Sequence, residues 1–400
     1  MPRNAHSRND ILYVMQPMRT LMLAVGVWPC RGGKISVFRK IYNLLLNFSS
    51  NFLYACEFIP GGIYWLLEES VRMRLQMGPL LLYVFMSAIQ YDILLSRNGN
   101  IRQCWKHVEE DWENIFSLDA RIIMFKCAKS ARFLILICGA LMYTGAFMYR
   151  IILPLSLGEI VTDQNVTIRP LACPVNFLFI DAQVSPFYEI LFVSQSITGF
   201  LIVSVATSAY GLLAYFVEHA SGQMKILICL MKGLVQEQWK KENEINKKLA
   251  EVVEHQIRVR NFLQMVEYTM QEICLVEIMV NTLSICLLLY FVILDWNTSN
   301  FGVIGSYALN IVNVTIHIFL FCYVGEQLND QAEKVAIESR ELEWYHLPEK
   351  KMRSVVLLMV MSNRPLKISA GKIMELSLKT FGDIIKTSGA YFNMLRNVTE

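Results

Sequence analysis

Charge is scarce in this 400-residue chain. Asp, Glu, Lys and Arg together make up 18% of it and apolar residues 54%, whereas soluble domains run near 25% and 45–50%. That imbalance excludes an ordinary set of soluble domains and calls for a low-polarity environment, the lipid bilayer first. A net charge of only +3 gives no electrostatic reason to expect a nucleic-acid partner. Paired carboxylates inside apolar runs, His–Cys metal spacing, a phosphate-binding glycine loop and a nucleophile constellation are all missing. Enzymatic activity, a bound metal and a cofactor are therefore not expected. Internal repeats and low-complexity stretches are missing too. The ten cysteines fall mostly in apolar runs or in segments assigned below to the cytosol. Cys173 alone sits in an outer loop, so no network of disulfides is expected.

What is present is a series of long apolar runs. A membrane helix needs about 20 mostly apolar residues. Residues 41–67, 130–153, 186–217, 270–294 and 301–325 qualify, and a shorter run, 78–95, opens at Gly78-Pro79. A seventh span is expected within 367–400, as argued below. Residues 20–27 are apolar but stop at Trp28-Pro29-Cys30, which suits an amphipathic or re-entrant element within a cytoplasmic segment 1–40 better than a signal peptide.

Basic residues orient the spans. Segments 1–40, 96–132, 218–269 and 326–367 hold 29 of the 37 Lys and Arg residues, and per residue they are about twice as basic as the opposite set. They should face the cytosol. The expected fold class is an all-α membrane protein with seven transmembrane helices, N-terminus cytoplasmic and C-terminus extracellular, with a cytoplasmic helical anchor layer. The sequons at Asn165 and Asn297 fall in loops that this topology places outside, as glycosylation requires. A G-protein-coupled receptor has the reverse topology. No acid-Arg-Tyr triplet follows the third span and no Asn-Pro-x-x-Tyr ends the last.

The inner segments look structured. Glu237, Lys241, Glu244 and Lys248, with Leu249, Val252 and Val253, alternate at helical spacing and predict amphipathic helix continuous with the neighbouring spans. Residues 328–346 read the same way up to Leu347-Pro348, and the seven-residue apolar run 355–361 predicts a buried helix. The 236–268 helix and the anchor segment 326–366, with 328–346 and 350–362 stacked on it, form either a layer that joins subunits or helix extensions of a monomer. Glu109, Glu110, Asp111 and Glu113 read as a solvated face beside Trp112.

From Ile368 to Val398 the chain has no proline and a helical apolar pattern. Lys372, Glu375, Lys379, Asp383 and Lys386 fall on one face, continued outward by Ala390, Asn393 and Asn397. An ionised side chain facing lipid costs roughly 2.5–3.5 kcal/mol at mid-bilayer. Lys379, Asp383 and Lys386 therefore either border a water-filled path or lie wholly in the cytosol.

At this helix the sequence resembles the insect odorant receptor family. The carrying residues are Arg364-Pro365-Leu366, Ala370-Gly371-Lys372, Ser377, Phe381, Lys386-Thr387-Ser388, Tyr391-Phe392 and Leu395. Gly325, the run to Glu343-Trp344-Tyr345, Leu347-Pro348, Gly26-Val27-Trp28-Pro29 and His255 fit the same family. Gly389-Ala390 and Met374 depart from its usual pattern. The resemblance implies a plasma-membrane, ligand-gated, non-selective cation channel subunit. It also implies a tetramer shared with an odorant coreceptor, and a small volatile ligand held within the membrane. The loop between spans four and five is too short for the coreceptor, so a tuning subunit is implied. Carried over residue by residue, the ligand would meet Tyr83, Tyr143, Phe147, Tyr188, Phe192, Tyr307 and Ile311. Met394 would be the gate and Asn397 the outer vestibule. A gustatory-receptor-like channel subunit is the nearest alternative, and a G-protein-coupled chemoreceptor a more distant one.

Overall fold

The computed structural model describes residues 5–29, 37–115, 117–161, 167–177, 182–236, 242–294, 301–346, 349–364 and 367–399. Eleven α-helices follow in chain order. They are α1 (Ala5–Ala24), α2 (Val37–Leu67), α3 (Val71–Ser96), α4 (Asn98–Glu113), α5 (Leu118–Phe147), α6 (Leu153–Leu157), α7 (Phe187–Gln236), α8 (Glu242–Leu294), α9 (Phe301–Arg340), α10 (Glu349–Ser362) and α11 (Leu378–Thr399). Two short antiparallel hairpins complete the described chain: β1 (Ile160–Val161) with β2 (Thr167–Ile168), and β3 (Ser369–Ala370) with β4 (Met374–Glu375). The sequons at Asn165 and Asn297 lie outside the described residues.

Five helical segments are long and apolar enough to cross a membrane: Val71–Ser96, Leu118–Leu157, Phe187–Leu234, Asn243–Leu294 and Ile304–Arg340. Neither α2 nor α11 is among the five. In α2, Asn43, Asn47, Asn51 and Glu57 dilute the apolar residues of the run 41–67. The helix α7 forms the axis of the bundle. Its apolar window is 83% buried, and it packs against α5, α9, α8 and α3.

Length decides the shape. The helices α7, α8 and α9 contain 50, 53 and 40 residues, or about 75, 80 and 60 Å at 1.5 Å per residue. All exceed the roughly 30 Å hydrocarbon core. The expected continuity with the following span is met for α8, which runs unbroken through residues 242–294, and α9 continues past 325 to Arg340. Glu237 and Lys241 of the expected helix lie outside the described residues. The helix α9 ends at Arg340, short of the stop expected at Leu347-Pro348: a break at 341–343 and a 3-10 turn, Trp344–His346, follow instead of helix to 346. Leu347 and Pro348 themselves lie outside the described residues.

Beyond the apolar windows, α4 and α10 pack against these extensions. Trp105 lies 4.7 Å from Tyr215 and 5.2 Å from Phe216, and Trp28 meets it at 5.5 Å. The helix α1 joins this packing through one face, Ile11, Val14, Met15, Met18 and Met22, with Leu12 and Tyr13 exposed. Gly26, at φ +78°, turns the chain out of α1, a conformation that an L side chain resists.

In the acidic cluster of α4, Glu113 is exposed as expected of a solvated face and Glu109 and Glu110 are half-buried, but Asp111 departs from it. Asp111 is only 7% exposed, 2.9 Å from His219 Nε2 and ion-paired with Arg258. Trp112 is buried beside it. Burial opposes the charge on Asp111, but His219, His107 and Arg258 outweigh it and hold the carboxyl below its ordinary range. For His107, stacked on Phe262 at 5.0 Å, burial wins and its pKa is lowered despite Asp111. Spacing alone missed this because His219 and Arg258 come from helices more than 100 residues away.

The last helix also differs from expectation. It begins at Leu378, so it holds 22 residues and spans about 33 Å. Residues 369–375 form the β3–β4 hairpin, with Ser369 paired to Glu375 and Ala370 to Met374. Gly371 and Lys372 both adopt left-handed conformations, φ +59° and +60°, which no α-helix accommodates. The hairpin docks on α8 through the Gly371 N–H, which donates to the Gln271 carbonyl at 2.9 Å. Lys372 and Glu375 therefore leave the charged strip. Ser377 caps α11 by accepting from the Thr380 N–H at 3.1 Å, and Glu326 of α9 accepts from the Leu378 N–H at 3.0 Å.

Candidate ligand-binding site

A cavity of about 130 Å³ lies among α3, α5, α7, α8 and α9. Its apolar wall comes from Leu80 and Tyr83 of α3, Met142 of α5, Ile202 and Val203 of α7, and Leu288 of α8. Its polar wall includes Gln76, Asn281, Ser284, Asn310, Asn313 and His317.

Local backbone features shape this space. At the end of α5 a π-helical turn, Met148–Ile152, inserts extra residues per turn and re-aims the side chains beyond it. Tyr149 and Arg150 of that turn line the cavity. Arg150 is buried and pairs at 2.5 Å with the equally buried Glu57 of α2. Its stem crosses α7 at Gly199, where a Cβ would lie 2.8 Å from Arg150 Cγ. Gly145 likewise gives room for the Asn313 amide, whose Cγ would stand 3.1 Å from a Cβ there.

Below the polar wall lies a buried carboxylate. Glu277 of α8 ion-pairs with His317 of α9. It accepts from Gln90 Nε2 of α3 at 2.5 Å and from Asn281 Nδ2 one turn along its own helix. His317 packs edge-on against Phe321 at 5.3 Å. The same side chain also lines the cavity.

Of the seven residues carried over for the ligand, Tyr83 and Tyr307 line the cavity, and Tyr307 hydroxyl accepts from Gln76 Nε2. The other five do not line it. Tyr143 bonds Ser204 at 2.7 Å and stacks on Phe200. Phe147 is 45% exposed on the outside of the bundle. Tyr188 donates to the Pro170 carbonyl at 3.1 Å beneath the Arg169 guanidinium, with Phe192 stacked on it. Ile311 packs in a cluster with Leu288, Phe291 and Tyr307. Sequence reasoning selected aromatics and missed Asn281, Ser284, Asn313 and Arg150. Their one signal was polarity within apolar runs.

On α11, Lys379, Asp383, Lys386, Ala390 and Asn393 are all exposed. Leu376, just ahead of the helix, and Ile384 and Ser388 within it are buried, and the helix packs against α8 and α9. The side chains of Met394 and Asn397 lie outside the described residues.

A family profile described as 7tm Odorant receptor matches residues 80–389. The chain belongs to this odorant receptor family. Among curated relatives, this receptor is 21% identical over 229 residues to odorant receptor 10 of Aedes albopictus, covering 55% of this chain and 58% of that one. It is 25% identical over 227 residues to odorant receptor 13a of Drosophila melanogaster, covering 53% of each. The matched region thus spans about half the length of these relatives. The fold of the receptor is that of the insect olfactory receptor OR5 from Machilis hrabei. Against its complex with eugenol the TM-score is 0.82 at 15% identity, covering 97% of this chain and all of that one. Without eugenol the TM-score is 0.78.

Proposed function

We propose that this receptor is an odorant-tuning subunit of a ligand-gated, non-selective cation channel in the plasma membrane. In this reading α2, α3, α5, α7, α8, α9 and α11 cross the bilayer, with the N-terminus in the cytosol and the C-terminus outside. A small volatile ligand occupies the cavity, and α11 lines the pore in a tetramer shared with an odorant coreceptor. The anchor layer of α4, α10 and the extensions of α7, α8 and α9 joins the subunits on the cytosolic side. The observation that carries the reading is the cavity itself. It is walled by the five helical segments long and apolar enough to cross a membrane, and its roughly 130 Å³ is close to an engineered cavity of about 150 Å³ that takes benzene. The complex of a receptor of the same fold with eugenol supports a small organic ligand in this architecture.

The exposed strip on α11 supports the pore assignment. Charges that face lipid are costly, so Lys379, Asp383 and Lys386 call for water or a neighbouring subunit. Both α8 and α9 contact α11 and also wall the cavity, giving a direct route from ligand to pore. Ligand binding shifts the pore only through its different affinity for open and closed arrangements.

Co-expression with the coreceptor tests this. Odorants should evoke cation currents that vanish when either subunit is omitted, and a tag on the N-terminus should be accessible only after permeabilisation. An extracellular N-terminus would overturn the topology, and odorant currents without the coreceptor would overturn the tuning-subunit role.

A further inference from the structure

The polar end of the cavity goes further than its size. Glu277 is fully buried, accepts from Gln90 Nε2 and Asn281 Nδ2, and is ion-paired with His317 Nδ1. A carboxylate only accepts. The Asn281 amide nitrogen must therefore face it, which fixes Asn281 Oδ1 on the other side, and that oxygen is buried without a hydrogen-bond partner. A lone buried charge is costly, so the pair is held as carboxylate and imidazolium. Imidazolium carries a proton on each nitrogen. His317 Nε2 is thus a donor; it has no oxygen or nitrogen partner, and beside it lies Cys138, whose thiol is a weak acceptor. Ser284 Oγ, one turn beyond Asn281, is also buried and unpartnered. Asn281, Ser284 and His317 all line the cavity.

Buried polar groups without partners cost free energy that a matching ligand returns. The groups available are a fixed acceptor, a donor and a hydroxyl. A hydrocarbon satisfies none of them. An ether, ester or ketone can accept but cannot donate to Asn281 Oδ1. An ammonium group can donate but meets the imidazolium charge. A hydroxyl both donates and accepts. We propose that this cavity selects alcohols or phenols, with the ligand hydroxyl donating to Asn281 Oδ1 and accepting from both His317 Nε2 and Ser284 Oγ. This rests on the receptor reading above and names its ligand class.

The test uses the full receptor co-expressed with the coreceptor and isosteric probes. These are 1-hexanol against methyl pentyl ether and heptane, and 4-ethylphenol against 4-ethyltoluene. The hydroxyl compounds should act at concentrations at least about tenfold lower than their isosteres, the scale of one buried hydrogen bond. Ser284→Ala, which removes no hydrogen bond within the protein, and Asn281→Leu should each bring that ratio to within about threefold. Ser284→Ala carries the test alone if Asn281→Leu fails to reach the cell surface. Equal potency of hydroxyl compounds and isosteres on the parent receptor overturns the ligand class and leaves the receptor reading standing. A ratio preserved in the variants does the same. No current to any probe from a surface-expressed receptor overturns both.

Discussion

Gly325 of α9 lies against the backbone of Leu376, two residues ahead of α11. A Cβ at Gly325 would stand 2.8 Å from the Leu376 carbonyl carbon and nearer still to its oxygen. The crossing fixes where the last helix starts, and the Leu376 N–H is itself committed to the Ile368 carbonyl at 2.9 Å. Gly325→Ala should therefore destabilise the receptor by about 1–3 kcal/mol, the usual cost of overpacking. Gly233→Ala, with open space around it, should not. Thermal unfolding of the detergent-solubilised protein measures both.

Asp111 anchors the layer at the far end. Asp111→Ala would leave His219 and Arg258 without their shared carboxylate, and breaking such a buried pair costs about 3–5 kcal/mol. The exposed neighbour Glu113 offers the control: Glu113→Ala should stay within about 0.5 kcal/mol of the parent. Equal effects from the two substitutions would contradict the buried cluster.

The same cluster makes stability depend on pH. His107 faces Asp111, Glu110, His219 and Arg258, and its folded pKa lies below its ordinary value because of burial. The folded state then binds fewer protons than the unfolded chain, so this stability is present above about pH 6.5 and is lost as pH falls below it. Asp111, also lowered, adds a second loss below about pH 4. Unfolding temperature should decline between pH 7 and 5.5, and His107→Gln should flatten that decline.

Cavity residues and surface aromatics should separate in recordings. Tyr83→Ala opens the cavity wall and should shift odorant potency by about tenfold or more. Phe147→Ala, on the outside of the bundle, should leave the dose–response curve where it was. The reverse order would move the ligand out of this cavity.

The exposed strip of α11 makes its own forecast. In the assembled channel, Asn393→Cys should react with water-soluble thiol reagents, faster with odorant present than without. Protection of that cysteine in both states would remove the strip from any aqueous path.

The long helices were legible because their signal is local. Interspersed Glu and Lys at 244–254 continue the helical register into the apolar run at 270–294, and α8 is accordingly unbroken. The start of α11 was not legible. Nothing in the apolar spacing of 368–377 reveals that Gly371 and Lys372 are left-handed, because the cause is a docking contact with Gln271 of another helix. The lining of the candidate cavity was half legible for a related reason. Tyr83 and Tyr307 stand out by residue type, but Glu57–Arg150 and Glu277–His317 are pairs separated by 93 and 40 positions, and only packing makes them neighbours.

The unbroken course of α8 has a mechanical meaning. One rod of about 80 Å carries Ser284 and Asn281 near one end, the Gln271 carbonyl that seats the hairpin ahead of α11 near its middle, and Arg258 in the Asp111 cluster towards the other. Such a rod has no joint in which to absorb a tilt. With the Arg258 end clamped as a fulcrum, a displacement of the upper part by a bound molecule is delivered to the hairpin and to the root of the last helix as one motion.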